Sequence, residues 1–183
     1  MSIREEWLAR VKEKRLFKLD YLIPGPSERR TVLMSAEITN LVSGPWESTL
    51  MGDRCARLRA NLENIMSGAT LTVCWDPFKG REHHQIGRLH PPQDFMFDIR
   101  SVDKPALRAT FHFAEKDVLI VHLCSPRSLP VPWLQRLPLG DRHSREWRDT
   151  IMESNALWGE LFPGFRPHSG DHINDLLSNA FLD

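Results

Sequence analysis

Alternation of apolar and polar positions is sharpest between Phe95 and Ser128. In Leu107 to Phe113, the residues Leu107, Ala109, Phe111 and Phe113 alternate with Arg108, Thr110 and His112, the period of a strand with one face on a core. Val118 to Cys124 is apolar at nearly every position, as expected of a central strand covered on both faces. The polar segment Ala114-Glu115-Lys116-Asp117 between them predicts an antiparallel hairpin closed by a tight loop. Register decides where His122 points. Pairing of Ala114 with Val118 sets it opposite Thr110, on the face of Arg108 and His112. Pairing of Ala114 with Asp117 turns it to the core, because a one-residue slip reverses every side chain. The first register is favoured and the second stays open.

Upstream, Ser2 and Glu5 make a capping box ahead of Ile3, Trp7, Leu8 and Val11, which predicts an amphipathic helix from about Ile3 to Lys14. Leu16 to Leu22 alternates and fits an edge strand, with a helix continuation or an extended linker as alternatives. Glu28 to Val42 and Asp53 to Met66 read as helices, the second with Cys55, Leu58, Leu62 and Ile65 on one stripe. Leu71 to Trp75 and Phe95 to Ser101 are rich in strand formers, and Pro77 to Gln93 reads as a polar loop between them. After the hairpin, Pro130 and Pro132 end the sheet. A helix from about His143 to Leu161 then places Trp147, Ile151 and Trp158 near one face. A last helix, His172 to Phe181, turns Ile173, Leu176, Leu177 and Ala180 inward. The order predicts an α+β domain, an antiparallel sheet of three to five strands with helices on one face. One domain is expected, with an N-terminal helix over 1–15, an α+β core over 16–128 and a helical extension over 129–183.

Composition narrows the partners. The chain has 183 residues, 41% of them hydrophobic, and a formal net charge of zero, so any nucleic-acid contact rests on a local patch and not on bulk charge. Cys55, Cys74 and Cys124 are widely spaced in apolar surroundings, which fits reduced core thiols of a cytoplasmic protein. No apolar run reaches the length needed to span a membrane and no cofactor is implied.

The series Ile99-Arg100-Ser101-Val102, Leu107-Arg108-Ala109-Thr110-Phe111 and Val118 to Leu123, followed by Arg127, resembles the C-terminal half of the RelE/ParE toxin superfamily, including its HigB-like phage-related members. The resemblance covers about residues 95–128. It implies an early strand, two helices and three or four antiparallel strands, with Leu16 to Leu22 as the first strand. In function it implies RNA cleavage at the ribosome or gyrase poisoning, with an antitoxin as protein partner. Cleavage by 2′-hydroxyl attack requires an acid, a base and cations over the phosphorane. On this reading Arg108 holds the scissile phosphate and Arg127 is the basic residue of the following loop. Arg100, Lys79 and Arg81 contact RNA, and His112 or His122 supplies acid-base function. Departures are plain: the superfamily's ribonucleases are strongly basic, with paired lysines and a late tyrosine, whereas this chain is neutral and has Tyr21 as its sole tyrosine.

Other readings compete. Arg100 and Arg108 can simply pair with Asp98, Asp103 or Glu115, and His122 can be a hydrogen-bonded core histidine. The tryptophans read as packing residues. A non-enzymatic binding module could dock a partner on the amphipathic terminal helices. A small metal-dependent hydrolase could use His83, His84 and His90, although their spacing matches no established ligand motif.

Overall fold

In the computed structural model, which describes residues 2–23, 27–77, 84–100, 107–126 and 145–182, the chain begins with α1 (Ile3–Lys12). The capping box is formed: Ser2 accepts from the Glu5 amide, and Glu5 accepts from the Ser2 amide. A two-residue edge strand, β1 (Phe17–Lys18), and β2 (Thr31–Met34) follow. Two helices come next, α2 (Ala36–Val42) and α3 (Leu50–Met66), capped by Ser35 and Thr49. The strands β3 (Leu71–Cys74), β4 (Ile86–Arg88) and β5 (Met96–Arg100) lead into the hairpin β6 (Leu107–Glu115) and β7 (Val118–Pro126). The described chain ends with α4 (Arg145–Leu161), the short α5 (Ile173–Leu176) and β8 (Ala180–Leu182).

The strands among the described residues form one mixed sheet of eight, in the order β1-β2-β7-β6-β5-β4-β3-β8. The expectation of a purely antiparallel sheet of three to five strands is therefore corrected. The run β4-β5-β6-β7 is antiparallel, but β2 joins β7 in parallel and β3 is parallel to both β4 and β8. The interior strand before the helices is β2, and Leu16 to Leu22 contributes only the edge pair of β1. Within the span read as a helix from Glu28, Val32, Leu33 and Met34 are instead buried in β2. Three apolar residues in a row cannot signal helix or strand by period.

Helices cover both faces, which corrects the expectation of one. On one side Val32, Met34, Leu119 and Val121 meet α2, α3 and α5, including Leu58, Leu62, Ile65, Leu176 and Leu177. On the other, Leu33, Val118 and Ile120 meet Trp158, Leu161 and Phe162, with Ile3, Trp7 and Val11 of α1 alongside. A second patch on that side joins Leu89 and Met96 to Trp147. The cause is visible in β7: an apolar side chain at every position from Val118 to Val121 leaves two faces to be removed from water.

The turn of the hairpin is fastened to the C-terminal segment. Asp117 has φ 63°, a left-handed conformation that Asp tolerates better than most residues, and its carboxylate accepts from the Ser178 amide and hydroxyl at 2.8 and 2.6 Å. Arg30, 2% exposed, donates to the carbonyls of Ile65 and Ala69 at 3.0 Å and to that of Ser178, with Asp117 3.5 Å from its Nε. One buried guanidinium thus ties the end of α3, the start of β2, the hairpin turn and the approach to β8.

Candidate functional site

The hairpin places His122 on the face of His112, the outcome of the favoured register, although Val118 pairs with Glu115 and not with Ala114 and an irregularity before Glu115 restores the alignment. Phe111, His112 and Phe113 pair with Val121, Ile120 and Leu119. Glu115 pairs with Val118 across the two-residue turn Lys116-Asp117, and a register shift lies between Phe113 and Glu115. Nδ1 of His112 and Nε2 of His122 are 2.9 Å apart, a hydrogen bond in which either ring can be the donor. The rings are 0% and 1% exposed, and the Trp158 ring of α4 lies 5.1 Å from that of His112.

Burial holds both imidazoles neutral. It pushes His112 down to about 3, with the neighbouring Asn155 amide only partly offsetting it. His122 lies well below the ordinary value through burial and the proximity of His112. Nε2 of His112 is buried without a hydrogen-bond partner of ordinary geometry. The Asn155 amide donates at 3.0 Å to Asp94.

Farther along the same face, Asp98 is fully buried. Strand pairing sets Arg100 directly opposite Arg108, a like-charge pair that a sheet tolerates poorly. Asp98 supplies the counter-charge. Its carboxylate accepts from Arg100 Nε at 2.9 Å and from Arg108 Nε at 2.7 Å, with Arg108 Nη2 at 2.6 Å. Burial alone would raise the pKa of Asp98, but the two guanidinium charges and their hydrogen bonds outweigh it and hold the carboxyl below its usual range. Gly87 makes room, since a Cβ there would stand 2.2 Å from Arg100 Nη2. Arg108 also stacks over Trp147 at 4.0 Å, a cation–π contact. Between the triad and the histidines, the Thr110 and Ser154 hydroxyls bond at 2.6 Å, and Ser154 donates to the Thr150 carbonyl.

The arrangement is a polar stripe sealed between the sheet and α4. Of the residues read as catalytic, Arg108, His112 and His122 share this face, and Arg100 joins them. The Arg100 and Arg108 side chains are each only 11% exposed. Arg127, Lys79, Arg81 and His83 lie outside the described residues. His84 is buried and His90 exposed, and no group of three or more metal-ligating side chains occurs among the described residues. The docking faces expected of the terminal helices are turned inward: Trp7, Trp147 and Trp158 pack on the sheet side. Ser154 and Asn155 were missed. Both lie on the stripe of Trp147, Ile151 and Trp158 at spacings of three to four residues, the signal that could have found them.

Cys55, Cys74 and Cys124 are free thiols, and burial raises the pKa of Cys124 to about 12. No described helix is long and apolar enough to cross a membrane. Comparison with protein-family models, with curated proteins and with solved structures found no match.

Proposed function

We propose that the protein is a non-enzymatic binding module that meets its partner through surfaces other than the inward-packed faces of α1 and α4, and that its polar stripe is internal framework and not an active site. The observation that carries this reading is that α4 covers the stripe while its charged groups satisfy one another. A general acid or base must reach a substrate proton with a pKa near the working pH, and His112 and His122 are bonded to each other out of water and held neutral. A phosphate-holding arginine must offer its donors to an incoming anion, and Arg108 and Arg100 aim theirs at Asp98.

A second reading, a RelE/ParE-like RNA-binding or RNA-cleaving protein with an antitoxin or ribosome partner, is favoured by the order of elements. A strand, two helices and a run of strands ending in a hairpin follow one another through β2, α2, α3 and β3 to β7. In that reading the RNA contacts fall to Arg127, Lys79 and Arg81.

Controlled expression, with RNA integrity followed in a ribosome-containing extract, separates the two. The binding-module reading expects unimpaired growth and intact RNA. Growth arrest or RNA cleavage that Arg127→Ala relieves, with the melting temperature unchanged, would overturn it in favour of the toxin-like reading. Arg108→Ala is a poor probe, because it breaks a buried ion triad and lost stability would imitate lost activity.

A further inference from the structure

We propose that His112 and His122 form an acid-sensitive latch: protonation of the pair frees α4 from the sheet while the opposite layer stays folded. The inference is independent of either functional reading and rests on how the two faces are held. The α2, α3 and α5 side is one continuous apolar core. The α4 side is divided, with Trp147 packed on Leu89 and Met96 at one end and Trp158, Leu161 and Phe162 packed at the other. Polar residues fill the interval. A layer with less continuous apolar contact opens at lower free energy than the rest of a fold, and the histidine pair lies in that layer against Trp158.

Closed, the site holds a proton poorly. One added proton leaves a single N–H between the facing ring nitrogens at 2.9 Å but buries a charge that the Asn155 amide offsets only in part, and a second proton sets two cations against each other. No counter-charge is at hand among the described side chains of the covering helix. The described charged residues Arg145, Arg148, Asp149, Glu153 and Glu160 of α4 are all exposed. On β5 and β6, Asp98 is engaged by Arg100 and Arg108. In the turn before β5, Asp94 accepts from Asn155. The buried Glu6 of α1 is engaged by Arg10, and His168, beyond α4, bonds by its amide to the Phe113 carbonyl. Opening of α4 returns both imidazoles to water, where each takes up a proton near pH 6.5.

The test is hydrogen exchange of α4 against α3 in the full chain as pH falls, corrected for the intrinsic exchange rate. Between pH 7.5 and 5 the opening constant of α4 should rise about 30-fold for each histidine released to protonate, and about a thousandfold for both. Protection of α3 should persist. In the His112→Gln/His122→Gln variant the rise should disappear, and in His122→Gln alone it should fall to the single-histidine value. Equal protection of α4 at the two pH values, or loss of α3 together with α4 in one transition, would overturn the proposal.

Discussion

Asp98 faces two arginines whose strand pairing brings them side by side, and removing its charge leaves both without their shared partner. Asp98→Asn should cost about 3–5 kcal/mol of unfolding free energy, the range for a buried ion pair broken on one side, measured by urea denaturation at neutral pH. The stability that Asp98 contributes is present above about pH 4, its unfolded value, and is lost as pH falls through its lowered folded pKa. The histidines act in the same direction but begin earlier. His112 is pushed down to about 3 when folded, so it costs nothing above its unfolded pKa near 6.5 and opposes folding progressively below it. That histidine alone should remove about 2 kcal/mol between pH 7 and 5, readable as a falling urea midpoint that His112→Gln flattens. The sequence pointed to Asp98 as one of three acidic partners for the arginines. What it could not convey was burial, because the cover over this face comes from α4, about fifty residues downstream.

At the scale of elements, legibility followed local pattern. The hairpin, the stripe of α3 and the capping box of α1 each announce themselves within about a dozen residues, and each stands where the pattern puts it. Elements defined by distant pairing did not. Ile86–Arg88 forms β4 inside a span that reads as polar loop, since its neighbours β3 and β5 supply what its own sequence lacks. The last helix stops at Leu176, and the chain re-enters the sheet as β8, although Ile173, Leu176, Leu177 and Ala180 are all buried as their spacing suggests. Asn179, at φ 58°, makes that change of direction. Ser35 links two elements at once: its hydroxyl caps α2 through the Ile38 amide and donates to the His122 carbonyl at 2.6 Å. Ser35→Ala should therefore lower stability by at least the cap's contribution of about 1 kcal/mol, checked by thermal denaturation.

For the whole molecule, the consequence of covering both faces is a division of labour between them. The α2, α3 and α5 layer carries the continuous core, and the α4 layer seals a polar stripe between two apolar ends. Trp158→Ala removes the ring that packs on Phe162 at 4.6 Å and on both histidines. It should cost about 3–5 kcal/mol, with hydrogen-exchange protection falling further in α4 than in α3. The account depends throughout on the stripe being closed and the imidazoles neutral. The most direct measurement is an NMR titration of the His112 and His122 ring resonances in the folded protein. The account predicts that both rings stay neutral through pH 6 and that neither titrates near 6.5. Independent titration of either ring near that ordinary value, with the fold intact, would contradict it.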